Sequence, residues 1–301
     1  LRRQRQMCIR DRNLSISTTK MPRKKKTQQS IFNTLKKIKL STYVISLLIL
    51  CVVYFAYRYR HGIHYYFSVV EKSLKGEKLV DDKVTKFDIR NIEVMDKYYL
   101  KTFGVDVSHY QGKIDWTKMH TIYNLYPINF AFIRSTMGTS SIDETFEDNW
   151  EGAKENNILR GAYHFYRPDE NSTLQAQNFI AKVKLENGDL PPVLDIETLP
   201  RTQSMVRLVE GIKNWCKIVE EHYDIKPIIY TSDKYFEDYL QDHFDGYIIW
   251  IANYNFWVQE MKGHWDFWQF TEKATIDGVK RYKVDVNIYN GTIDDLEGLT
   301  L

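Results

Sequence analysis

The stretch Pro191–Pro200, PPVLDIETLP, decides how the rest of the chain is read. Val193, Leu194 and Ile196 are strand formers bracketed by prolines, the pattern of a buried parallel strand entered and left abruptly. Side chains alternate across a strand, so Asp195 and Glu197 leave on the same face and enter one site. Two carboxyls forced together cannot both ionise freely. One pKa must rise, which is what a general acid working near neutrality needs. An isolated Asp-x-Glu is common, and the competing reading is an edge-strand tip with two solvated acids.

Outward from this strand, short apolar runs recur: FGVDVS (103–108), NFAFIRS (129–135), GAYHFY (161–166), KPIIYTS (226–232), GYIIWIANY (246–254), FWQFT (267–271) and KVDVNIY (283–289). With PPVLDIE they make eight candidate strands. The early intervals are long enough for helices, at 146–156, 172–185 and 203–222. Alternating strand and helix implies an α/β fold with a parallel sheet covered on its faces. After Tyr247 the spacing tightens and leaves little room for helix. The expected architecture is a TIM-like modified (β/α) barrel of eight strands whose final third has lost its helices.

Chemistry in such a barrel gathers at the C-terminal strand ends. The polar residues there are Asp106, Ser108 and His109 on the first strand, Arg134 on the second, and Tyr163 and His164 on the third. Asp195 and Glu197 follow on the fourth, then Tyr230, Asn253, Gln269 and Asp285. Acids at the ends of the first, fourth and last strands together make the Asp-x-Glu pair a functional candidate.

The set GVDVSHYQGKIDW (104–116), GAYHFYRP, PPVLDIE, PIIYTS, IWIANY and WQFT preceding VDVN resembles glycoside hydrolase family 25, the muramidases often called Chalaropsis-type lysozymes. The resemblance runs in order from about Phe103 to Leu301. It implies a peptidoglycan muramidase that cleaves, with retention, the β-1,4 bond between N-acetylmuramic acid and N-acetylglucosamine. On the matching motifs, Glu197 is the general acid and base, and Asp195 is the partner that orients the substrate acetamido group or supports the developing cation. Asp106 and Asp285 are the further acids of the cleft floor. The physical requirement agrees, since a glycosidase needs one protonated and one ionised carboxyl at the same bond. No cofactor and no metal is implied.

Tyr163 is expected to hydrogen-bond the reacting sugar or a carboxylate. Arg134, Tyr230, Trp250, Asn253, Tyr254, Trp268 and Gln269 are expected to bind substrate, although many such aromatics are only core. His109 and His164 read as structural hydrogen-bonders, and Tyr110 and Trp116 as packing. One departure stands out: where the family often reads Lys-Ala-Thr-Glu-Gly, this chain has Arg134, Ser135, Thr136, Met137 and Gly138. The positive charge is kept but the acid before the glycine is missing, which puts substrate detail in doubt more than activity.

The net charge of +3 conceals a division: residues 1–75 carry 17 Lys+Arg against 2 Asp+Glu, and residues 76–301 carry 25 against 37. An acidic body with a basic head argues against nucleic acid as the body's partner and for a membrane-proximal head. Residues 1–20 read as a non-native or upstream extension, and 21–39 as a basic cytoplasmic segment. Residues 40–57 are uncharged and long enough for a single transmembrane helix, with Tyr54, Phe55 and Tyr57 near one end. A cleaved signal peptide or a buried helix would be the alternatives, but AYRYRHG lacks a small-residue cleavage site. Seven Lys/Arg between Arg23 and Lys39 outnumber Arg58 and Arg60 beyond, placing the N-terminus in the cytoplasm and the body outside. Residues 58–102 are expected as a stem of one or two short helices, and 103–301 as the catalytic domain. The partners implied are peptidoglycan strands and, through the anchor, the lipid bilayer. Of Cys8, Cys51 and Cys216 only the last falls in the acidic body, which therefore forms no internal disulfide.

Three rival readings stay open at this stage. A catalytically inactive glycan-binding protein on the same fold is disfavoured by the intact acids. A metal-dependent hydrolase using Asp106, His109, His164, Asp195 and Glu197 lacks recognised ligand spacing. A chitinase-like hydrolase would usually extend the acid motif upstream, where Pro191–Leu194 carries no acid.

Overall fold

The computed structural model describes residues 40–60, 62–63, 66–67, 70–71, 85–280 and 283–301. The segments read as an extension (1–20) and a basic cytoplasmic segment (21–39) lie outside the described residues. The described residues fall into two units, one ending at Arg58 and the other beginning at Tyr59.

In the first unit, α1 (Leu40–Arg58) has its side chains exposed from Ser41 to Tyr57. At 1.5 Å per residue it is about 28 Å long, close to the ~30 Å of a bilayer's hydrocarbon core. Among the described residues it is the one helix long and apolar enough to cross a membrane.

The second unit is built on eight strands: β1 (Thr102–Val107), β2 (Phe130–Met137), β3 (Leu159–Phe165), β4 (Val193–Asp195), β5 (Ile228–Ser232), β6 (Ile249–Ala252), β7 (Phe267–Ala274) and β8 (Val284–Tyr289). Each falls on one of the eight runs expected from sequence. Neighbours pair in order and β1 pairs with both β2 and β8, so the sheet closes into a barrel. A two-residue strand, Ser141–Ile142, adds a hairpin to the end of β2.

Pairing is parallel from β1 through β7, as expected, but β8 runs antiparallel to both β7 and β1. The cause is the length of the 275–283 link. A parallel return takes about a dozen residues or more, whereas a short link turns the chain straight back. The helices α3 (Phe146–Glu155), α4 (Ser172–Lys182) and α5 (Met205–Tyr223) occupy the three intervals where helix was expected. Asn171 and Ser204 cap α4 and α5 by accepting from Leu174 N and Arg207 N.

Strand alternation divides the core in two. Phe130, Phe132, Val193, Ile228, Trp250 and Phe267 face inward and fill the barrel. Their neighbours Ala131, Ile133, Leu194, Ile229, Ile251 and Trp268 face the helices. Gly104 and Gly161 point inward too. A Cβ on either would lie 2.5 Å from the Phe130 ring or 2.6 Å from the Phe132 ring, so these glycines give the phenylalanines their space.

The segment expected as a stem behaves differently from Lys86 onward. There α2 (Lys86–Lys97) opens with a capping box between Thr85 and Asp88 and buries Asp88, Arg90, Asn91, Ile92, Val94 and Met95. Its apolar residues belong to the same core as the barrel's outer layer. Its mixed charge makes it read as a solvated stem, because the pattern hides that Asp88, Arg90 and Asn91 are buried.

Candidate active site

Four carboxyl groups converge in one pocket at the C-terminal mouth of the barrel, Asp106 from β1, Asp195 and Glu197 at the end of β4, and Asp285 from β8, and a fifth, Glu272 from β7, also lines it. Register explains the convergence. Asp106 lies opposite Asp285 across the β1–β8 pair, and Asp195 lies opposite Phe165 and Tyr230. Val193, Asp195 and Glu197 alternate inward while Leu194 and Ile196 join the outer core.

Asp106 anchors a chain of side chains across the floor. Its Oδ2 accepts from Gln269 Nε2 at 2.9 Å and from Asn287 Nδ2 at 2.8 Å. Gln269 Oε1 accepts from the Tyr230 hydroxyl at 2.8 Å, and Asn287 Oδ1 from Trp250 Nε1 at 2.9 Å. With both amides committed in this way, each is fixed in one orientation.

Burial raises all four acids. Asp106 is pushed up to about 6 despite the hydrogen bonds from Asn287 and Gln269. Asp285 is raised well above the usual range by burial and then by the charges of Asp106 and Glu272. The interaction with Asp106 adds to the rise at Asp285 and opposes it at Asp106. Asp195 is likewise pushed well up by burial, then by Glu197 and Asp106, with Arg134 pulling the other way. Its Oδ1 is buried without a hydrogen-bond partner. Glu197 is raised by burial, and the Tyr230 hydroxyl opposes the rise. By accessible area Glu197 is exposed, although protein surrounds it on most sides. Both hold for a group on the wall of an open pocket, which meets solvent yet is poorly screened; its rise is accordingly weaker than that of Asp195. The adjacent acids titrate as a unit that keeps a proton above the ordinary carboxylate range.

Of the residues expected to bind substrate, Arg134, Tyr163, Tyr230, Trp250, Tyr254 and Gln269 line the pocket. Arg134 is also ion-paired, Nε to Asp143 Oδ2 at 2.8 Å. Burial pushes Asp143 up, but hydrogen bonds from the His109 amide and ring and from Thr145 outweigh it and hold Asp143 down at about 2. Trp268 and Asn253 are not in the pocket. Trp268 is fully buried in the outer core, with Nε1 on the Asn253 carbonyl at 3.0 Å, and Asn253 donates its side-chain amide to Asp233. Trp268 and Gln269 are adjacent on a strand and cannot both face the lumen.

His164 is buried outside the barrel between Thr136 and Gln175, stacked on Trp215, and burial lowers it to about 4. It therefore points away from the four acids, and the five-residue metal set is not brought together. Trp116 is core, donating to Asn149, but Tyr110, expected only to pack, is 66% exposed on the pocket rim with the Arg134 guanidinium 5.1 Å from its ring.

Sequence reasoning missed Asn287, Glu272 and Asp143. Asn287 was legible, since it follows Asp285 by two residues and must share its face. Glu272 was not, because irregularities between Gln269 and Thr271 and between Thr271 and Ala274 break the alternation of β7. The acid absent before Gly138 is met in space by Glu170, whose Oε2 accepts from Thr139 N at 2.7 Å.

A family model described as Glycosyl hydrolases family 25 matches residues 105–279, more than half of the chain. The chain is 36% identical over 197 residues to the protein YegX of Escherichia coli O6:H1, covering 65% of this chain and 72% of that one. It is 30% identical over 205 residues to Lysozyme M1 of Streptomyces globisporus, covering 63% and 68%. Among solved structures, a family 25 glycosyl hydrolase from Bacillus anthracis superposes with a TM-score of 0.61 at 28% identity, over 67% of this chain and 95% of that one. Asp106, Asp195 and Glu197 fall inside the matched block, and the chain belongs to glycosyl hydrolases family 25 and is a glycosidase.

Proposed function

We propose that the protein is a peptidoglycan muramidase that hydrolyses the β-1,4 bond between N-acetylmuramic acid and N-acetylglucosamine with retention. The observation that carries this reading is the unequal pair at the end of β4: Asp195 buried with an unpartnered oxygen, Glu197 open to the pocket, and both carboxyls raised by burial. The family membership and the name of Lysozyme M1 support the substrate class.

In this mechanism an acetamido N–H of the bound sugar donates to Asp195 Oδ1. A hydrogen bond to the charged form favours ionisation, so the proton is left on Glu197. Glu197 gives that proton to the glycosidic oxygen as the C1–O bond breaks, and the acetamido oxygen bonds to C1 from the opposite face. Glu197, now a carboxylate, takes a proton from water as the water oxygen attacks C1 and the acetamido oxygen leaves. Two inversions give net retention. Asp106 and Asp285, with Gln269 and Asn287, hold the floor in place, while Tyr163, Tyr230, Trp250, Tyr254 and Arg134 contact the sugar.

Digestion of purified peptidoglycan by the full chain, with reduction and mass analysis of the fragments, tests the reading. Fragments ending in reducing N-acetylmuramic acid are expected, and Glu197→Gln should lose about 10²–10⁴-fold in rate, the usual worth of a general acid. Equal rates for Glu197→Gln and wild type would overturn the assignment.

We further propose that α1 anchors the chain as a single-pass membrane protein, with the N-terminus in the cytoplasm and the catalytic domain on the cell-wall side. Supporting this are the length and composition of α1 and the excess of Lys/Arg in 21–39.

A further inference from the structure

The loop from Asn253 to Trp265 between β6 and β7 carries Tyr254, which lines the pocket, and Trp257, which at 85% exposed is an extreme for a tryptophan. This loop has no helix of its own. Its Asn253 end is held by Asp233, Trp268 and Gln269, and the stretch from Asn255 to Glu260 is held by α2, a segment outside the family-matched residues 105–279.

The contacts run along the whole helix. Arg90 is buried and donates Nη2 to the carbonyls of Asn255 and Val258 and Nη1 to the carbonyl of Phe270 on β7. Phe87 meets Phe256 edge-on at 5.7 Å. Gln259 donates to Glu93 at 3.0 Å, and Lys97 pairs with Glu260. A guanidinium is costly to bury, and burial lowers that of Arg90 to about 10. Such a charge is kept where it fixes backbone that no secondary structure fixes; here one guanidinium binds two carbonyls of the loop and ties them to a third on β7.

We propose that α2 is a positioning element for glycan binding, with Arg90 as its central positioning residue: it sets the conformation of the β6–β7 loop and so the placement of Tyr254 in the wall of the pocket. The proposal rests on the muramidase reading for the identity of the ligand, but not for the mechanical coupling. Arg90 touches no substrate and acts through the loop. Loss of the coupling should therefore weaken binding while leaving the chemistry at Glu197 intact.

The test uses the full chain as wild type, Arg90→Met, and Phe87→Ala, the last a partly exposed site where folding is not at stake. Two readouts are taken: amide hydrogen exchange, and the rate of cell-wall hydrolysis against glycan concentration. Both variants are expected to speed exchange at 253–262 by tenfold or more with β1–β5 unchanged. The half-saturating glycan concentration should rise about fivefold, and the limiting rate should stay within twofold. Unchanged exchange at 253–262 in both variants overturns the coupling. Faster exchange in the loop with unchanged half-saturation overturns the role in binding. Uniformly faster exchange across the barrel in both variants, with limiting rate and half-saturation moving together, would make α2 a mere structural support and also overturn it. If wild type hydrolyses no glycan, the muramidase reading fails by itself, and the exchange result still decides whether α2 sets the loop.

Discussion

Asp195 and Glu197 share a strand face but not an environment, and the difference makes opposite demands on stability and activity. A buried acid whose pKa is raised in the folded state stabilises the fold only while protonated, below its unfolded value of about 3.9, and loses that contribution as pH rises through the folded value. Asp195→Asn should therefore abolish most activity yet raise the melting temperature at pH 7.5, with a smaller gain at pH 4; thermal denaturation at the two pH values checks it. Aromatic positions separate by which way they face. Tyr254→Ala should raise the half-saturating glycan concentration severalfold with little change in melting temperature. Trp268→Ala should cost about 3–5 kcal/mol of stability by leaving a cavity in the outer core, read by urea unfolding. The two-residue alternation makes Asp195, Glu197, Asp106 and Asp285 legible in the sequence, and within FWQFT it puts Trp268 on the face opposite Gln269. Glu272 and Asp143 were beyond its reach, because one follows an irregular stretch of β7 and the other lies on a loop where no period holds.

Among the elements, β3 is tied to its surroundings by Arg160, which pairs with Asp189 at 2.7 Å, donates to the Trp150 carbonyl on α3 and lies 4.1 Å over the Trp150 ring. Arg160 would keep Glu151 at 3.5 Å and Glu186 at 3.7 Å, so Asp189→Ala should cost about 1.5–3 kcal/mol in denaturant unfolding, the worth of hydrogen bonds to a charged group. That pair also fixes the approach to Pro191 and hence the entry of β4. Strands and early helices could be read because each is a local pattern with its own period. The direction of β8 depends on the length of a link rather than on any residue in the strand. The docking of α2 depends on Arg90 meeting carbonyls some 165 to 180 positions away, a pairing that no local pattern encodes.

For the molecule as a whole, pH acts through opposed sets of carboxyls. Asp106, with a folded value of about 6, loses on the order of 3 kcal/mol of stabilising influence as pH rises from 4 to 8, and Asp195, Glu197 and Asp285 act in the same sense. Asp143, held at about 2, opposes them by losing its contribution as pH falls from 4 toward 2. Maximal thermal stability is thus expected near pH 4–5, and scans across pH 2–9 would show it. Hydrolysis should decline on the alkaline side as the Asp195–Glu197 pair gives up its proton, and a rate rising steadily through pH 9 would contradict Glu197 as donor. Closure of the barrel brings a different kind of constraint. The free edge of β1 finds its partner in β8, with Thr102 opposite Tyr289. During synthesis the first strand therefore waits for residues some 180 positions downstream to appear. A product truncated before Val284 would leave two open sheet edges, so premature termination should yield aggregates rather than a weakened enzyme.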